Sequence, residues 1–82
     1  VIDSDLIVFP NPARDRLNLH LNGGQNMQRV QLFTLSGQLL SDSGSLNQRR
    51  TEVDLSHLPD GVYMARVIAE NGLITRKISV VH

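Results

Sequence analysis

The chain has 82 residues, and its eight Lys and Arg balance eight Asp and Glu at a formal net charge of zero. That balance excludes a typical nucleic-acid binder, which needs excess cations to displace counterions from phosphates. Cysteine is absent, which removes disulfides, thiolate catalysis and cysteine-held metal, and three aromatic residues (Phe9, Phe33 and Tyr63) make no base-stacking platform.

The sequence opens on Val1 rather than Met and shows no signal peptide. This predicts a piece of a longer chain, with residues 1–6 as the end of an upstream linker and 7–82 as the domain. The first strand is expected at 5–9. Pro10-Asn11-Pro12 follows, and each proline holds the residue before it extended or turn-like. A rigid turn that aims the chain into the next strand explains this segment fully. Leu17, Leu19 and Leu21 then alternate with Arg16, Asn18 and His20, which predicts a strand at 15–21 with one buried face. Asn22-Gly23-Gly24 ends it. Val30 and Leu32 mark a strand at 28–35, and Ser36-Gly37 joins it closely to 38–43, with Gly37 supplying a positive φ. Val53 and Leu55 mark 50–55.

Pro59-Asp60-Gly61 reads as a type I turn, with proline at its second position and glycine at its fourth. Tyr63, Ala65 and Val67 alternate with Met64 and Arg66 in a strand at 62–69. Asn71-Gly72 is a strong hairpin signal. It predicts a last strand at 73–81, where Ile78 and Val80 alternate with Lys77 and Ser79. A two-residue Asn71-Gly72 loop would set Glu70 opposite Leu73, Ala65 opposite Ile78 and Tyr63 opposite Val80. On the other face it would set Arg66 opposite Lys77, Met64 opposite Ser79 and Val62 opposite Val81. Like charges face each other unfavourably in such a pair. Either flanking carboxylates such as Glu70 or Glu52 relieve them, or the face docks another protein. A last strand at the sheet edge also offers unpaired backbone groups, to a partner or to a second copy as a homodimer.

Short strands with turns every 8–12 residues predict an all-β, immunoglobulin-like antiparallel sandwich of about seven strands. Size scaling at 9.1 kDa gives a folded surface of about 4,900 Å², over a core too small for a deep active site. No apolar run approaches the ~18 residues of a spanning helix. Asp54, Ser56 and His57 have the residue types of a hydrolytic triad but sit within four positions, where a strand sends neighbours to opposite faces. His20, His57 and His82 show no ligand spacing, and Asp3-Ser4-Asp5 lacks the glycine and distal glutamate of a calcium loop. The expectation is a domain with no catalytic, metal or cofactor site.

Several segments then fall in one order: Phe9-Pro10-Asn11-Pro12-Ala13, Leu17-Asn18-Leu19, Val30-Gln31-Leu32-Phe33, Leu35-Ser36-Gly37, Leu58-Pro59-Asp60-Gly61-Val62-Tyr63 and Arg76-Lys77-Ile78-Ser79-Val80. Together they resemble the type A C-terminal sorting domain of the bacterial type IX secretion system, over residues 7 to 81. The resemblance implies a non-enzymatic export signal fused behind a cargo protein. It would be recognised by the outer-membrane translocon and its shuttle protein, then cleaved off by a cell-surface sortase. The cargo would pass through the periplasm to the cell surface or the medium.

By the same resemblance Gly61 and Tyr63 form the Gly-x-Tyr element, Lys77 takes the basic position of the final strand, and Ile78 to His82 form the terminal part on which export depends. The expected recognition residues are Gly61, Val62, Tyr63, Met64, Arg66, Lys77, Ile78, Ser79, Val80 and Val81. The expected structural turns use Pro10, Asn11, Pro12, Gly37, Pro59, Asp60, Gly61, Asn71 and Gly72. The competing readings are a fibronectin-like adhesion or carbohydrate-binding module, for which Phe33 is the one outward aromatic candidate, and a structural accessory domain of a larger enzyme.

Overall fold

The computed structural model describes residues 5–70 and 72–82. The strands are Leu6–Phe9 (β1), Arg16–Leu21 (β2), Met27–Thr34 (β3), Leu39–Asp42 (β4), Arg50–Asp54 (β5), Gly61–Ala69 (β6) and Gly72–Val80 (β7). Every one lies within a residue of its expected bounds. They form two antiparallel sheets, ordered β1-β2-β5 and β4-β3-β6-β7. The folded surface is 4808 Å², close to the value expected from size.

The period-two alternation decides which side chains meet between the sheets. Leu17, Leu19 and Leu21 of β2 face Val30 and Leu32 of β3, Tyr63, Ala65 and Val67 of β6, and Ile74, Ile78 and Val80 of β7 in one buried cluster. Among the described residues none of the buried ones is polar or charged. Met27 also reaches this core although it lies three positions before Val30. A bulge between Met27 and Arg29 shifts the alternation by one residue, as an unpaired extra residue does. The Leu35-Ser36-Gly37 connection closes as a turn in which the Gly37 N–H donates to Thr34 O (3.0 Å) and the Thr34 N–H donates to Gln38 O (2.9 Å). Gly37 sits at φ +96°, a conformation that side chains with a Cβ rarely adopt.

One side of the sandwich is closed by a strap, residues 9–13, that leaves β1 and crosses to the other sheet. The Ala13 N–H donates to Ser79 O (2.8 Å), and the Val81 N–H donates to Ala13 O (2.8 Å). The Ser79 N–H donates to the Asn11 side chain (3.1 Å). Ala13 thus makes a parallel bridge with Val80 on the outer edge of β7. On the same side Arg76, inward on β7, donates from Nη2 to Leu6 O of β1 (3.1 Å). The Pro10-Asn11-Pro12 segment therefore does more than turn the chain: it ties the first strand to the end of the last.

Two exposed carboxylates are held by local hydrogen bonds. Asp42 lies below its ordinary value of 3.8, first because Gln31 donates to it, then because the Gly44 N–H does, with Arg29 adding charge. Asp54 is lowered chiefly by the backbone N–H and hydroxyl of Ser56. A carboxyl whose folded pKa is depressed stabilises the fold fully above its unfolded value, and that contribution is lost as pH falls through the folded one. The melting temperature should therefore be flat from neutrality down to about pH 4 on account of these groups and fall below it. The Asp42→Asn, Asp54→Asn variant should show a shallower fall in thermal melts taken across that range.

Candidate recognition surface

The β6–β7 hairpin carries most of the expected recognition residues, and its register differs from the expected one. Ala69 pairs with Gly72, so Gly72 belongs to β7 and residues 70 and 71 make the connection. Asn71 itself lies outside the described residues. Glu70, in that turn, accepts the Asn26 N–H on its carboxylate (3.0 Å). Each β6 residue meets a β7 residue two places earlier than expected: Tyr63 faces Ile78, Ala65 faces Arg76 and Val62 faces Ser79. Inside and outside are unchanged, because the shift is two residues. The electrostatics do change. Arg66 faces Thr75 and Lys77 faces Met64, so the expected opposition of two cations does not occur.

The outer face of the four-stranded sheet is built in rows. Leu39, Phe33, Met64 and Lys77 stand side by side across β4, β3, β6 and β7, and Asp42, Gln31, Arg66 and Thr75 form the next row. The Arg66 guanidinium lies 4.7 Å from the centre of the Phe33 ring, a cation–π distance. Between the rows Phe33, Leu35, Met64, Arg66 and Thr75 line a shallow groove of about 150 Å³. Leu35, Leu39, Val62, Leu73 and Val81 are all exposed. The face thus mixes exposed apolar side chains with polar ones: Arg29 pairs with Asp42 (3.5 Å), whereas among the described residues no salt bridge reaches Arg66 or Lys77.

The ten expected recognition residues divide by orientation. Val62, Met64, Arg66, Lys77 and Ser79 lie on the outer face, and Val81 is exposed beyond the strand end. Tyr63, Ile78 and Val80 are buried, where a partner cannot touch them in the folded domain. Gly61 opens β6 opposite Val80. A Cβ there would meet only the Tyr63 ring, at 3.8 Å, so neither φ nor space demands glycine. The Tyr63 hydroxyl donates to Pro59 O (2.6 Å), the same back-bond as the tyrosine corner of immunoglobulin-like sandwiches. Tyr63→Phe is expected to lower stability by about 1 kcal/mol, a loss of about 4–8 °C in a thermal melt of a domain this size.

The Pro59-Asp60-Gly61 turn also departs from expectation. The hydrogen-bonded turn lies upstream over residues 55–58, where the Leu58 N–H donates to Leu55 O (3.0 Å). Residues 58–60 form an open bend whose acceptors serve other partners. Leu58 O is bonded by the His82 ring at Nε2 (2.7 Å), and Asp60 accepts the His82 N–H (3.0 Å). His82 Nδ1 also stands 3.4 Å from the Asp15 carboxylate. The bend is therefore a clasp for residue 82 as well as the corner into β6.

Elsewhere the Asp54 carboxylate accepts the Ser56 N–H (2.9 Å) and closes a turn, and among the described residues no hydrogen bond joins it to His57. Among the described residues no three His, Asp or Glu gather as a metal cluster. Phe33 is not the only outward aromatic. Phe9 is 49% exposed, on the outer face of the three-stranded sheet, above an open groove of about 600 Å³ lined with Asn18, His20, Arg50 and Glu52. Its signal was the alternation of Leu6 and Val8 with Ile7 and Phe9, too short to choose a face.

Residues 7–81 match the protein-family model described as secretion system C-terminal sorting domain. No curated protein compared with the chain matches it.

Proposed function

Given that the chain belongs to the family of type IX secretion C-terminal sorting domains, we propose that the outer-membrane translocon and its shuttle protein read it on the outer face of β6 and β7. The domain is a sorting signal, which implies a cargo fused upstream and export to the cell surface or extracellular space. In this reading a surface sortase then cuts the domain away and releases the cargo. The observation that carries it is the division of the signal residues. Tyr63, Ile78 and Val80 build the fold, while Met64, Arg66 and Lys77 stand together outside it. A partner that grips the outer set grips only a folded domain.

The test is a reporter placed between a periplasmic signal peptide and this chain. It is produced in a type IX-competent strain and in one lacking the translocon. Delivery to the surface or medium is expected in the first and periplasmic accumulation in the second. Cutting should shorten the delivered reporter by up to the domain's 9.1 kDa. Equal delivery in both strains contradicts the sorting reading. Delivery at full length contradicts the sortase step alone.

A further inference from the structure

The outer edge of β7 has a covered half and an open half. Ser79 turns its N–H and C=O away from β6, because they bond Asn11 and Ala13. Alternation along an antiparallel strand turns the same groups of Leu73, Thr75 and Lys77 outward. The strap ends at Ala13 and reaches only Ser79 and Val81. Among the described residues nothing pairs with the outward backbone of Leu73, Thr75 or Lys77. Residues 73–77 therefore offer three donors and three acceptors along about 17 Å of strand.

Charge decides what fits there. The strand Gly72–Val80 reads GLITRKISV, with two cations and no carboxylate. A second copy paired antiparallel about Thr75 would set Lys77 against Leu73 and Arg76 against Ile74, and would bring no counter-charge. Arg76 points inward and donates to Leu6 O, so Lys77 is the cation that this edge presents, and an extended segment with a carboxylate opposite Lys77 and an apolar residue opposite Leu73 fits it. A carboxylate opposite Lys77 meets a cation that no salt bridge holds among the described residues, and an apolar side chain opposite Leu73 covers a residue 62% exposed.

We propose that residues 73–77 accept one extended acidic segment of a partner protein as a fifth strand beside β7. This rests on the sorting reading above and names how the partner grips the domain. Backbone bonds give the affinity in strand addition, and the side chains at alternate positions give the choice of sequence. The strap sets the limit of the added strand, since it already fills the edge from Ser79 onward.

The test is an NMR titration of the whole 82-residue chain with two capped peptides, Glu-Val-Thr-Val-Val and Lys-Val-Thr-Val-Val, which paired antiparallel set Glu or Lys opposite Lys77 and Val opposite Leu73. The acidic peptide should shift the amides of Leu73, Thr75 and Lys77 and slow their hydrogen exchange about tenfold or more. The basic peptide should leave them unmoved. Thr75→Pro removes the central outward N–H and no hydrogen bond within the sheet, and should abolish the shifts. Unmoved amides with the acidic peptide, equal shifts with both peptides, or shifts confined to Met64 and Arg66 would overturn the proposal. Shifts that follow protein concentration without peptide would assign the edge to a second copy and overturn it too. If Thr75→Pro does not fold, the contrast between the two peptides decides. Delivery of the wild-type reporter is read separately. A negative titration with a delivered reporter sinks the strand addition alone, and an undelivered reporter sinks both.

Discussion

Ile78→Ala is expected to lower the melting temperature by about 12–24 °C, from a loss of about 3 kcal/mol. Ile78 is 1% exposed and stands opposite Tyr63 on the inner face of β7. The removed atoms would leave a cavity between sheets that cannot close without breaking the ladder. A domain of this size has a total stability of roughly 4–12 kcal/mol, so the loss is a large fraction of it. Circular dichroism through a thermal ramp measures it. The same variant should also lose export, because the outer face of β6 and β7 exists only on the folded sheet. Loss of export from a buried position therefore identifies the fold, not a contact with the machinery, and deletion of the last strand has the same ambiguity.

Ala13→Pro should cost about 2–4 kcal/mol, the sum of a lost ladder bond and an overpacked site. Ala13 is fully buried, and its N–H donates to Ser79 O. Proline removes that donor and presses a ring into the core. The strap would then detach from β7 and leave Ser79 and Val81 with open backbone groups, which invites edge pairing. The expected observations are a lower melting temperature and concentration-dependent association in sedimentation. Asn11→Ala is the milder control, since it removes one exposed acceptor from the Ser79 N–H and leaves Ala13 in place.

β2, β3, β6 and β7 were legible because each has one buried face that apolar residues at alternate positions announce, whereas β4 and β5 bury no residue fully and were marked by the turns that bound them. The turns with local chemistry were legible too, as at Gly37. What escaped was set by contacts distant in sequence. Nothing near Ala13 signals that it will bridge Val80. Nothing near Asn71-Gly72 signals that Ala69 will pair with Gly72, two residues from the expected register, or that Glu70 will accept the Asn26 N–H. Met27 escaped because a bulge breaks the period that would have marked it. The candidate surface was legible in membership and not in arrangement. Val62, Met64, Arg66 and Lys77 were assigned outward by alternation alone, and that holds under either register. Their neighbours across the sheet depend on the register, so the contact of Arg66 with the Phe33 ring emerges only in three dimensions.

On the reading proposed above, the secretion machinery recognises Arg66 and Lys77 on the outer face of β6 and β7 of an intact fold. The measurement that tests it most directly is surface delivery of the reporter fused to the Arg66→Glu, Lys77→Glu variant, beside its thermal melt. Loss of the ring contact at Phe33 should cost no more than about 1 kcal/mol, so the variant should stay folded. The expected result is a folded domain whose reporter stays in the periplasm of a competent strain. A folded variant delivered as well as the wild type would contradict it.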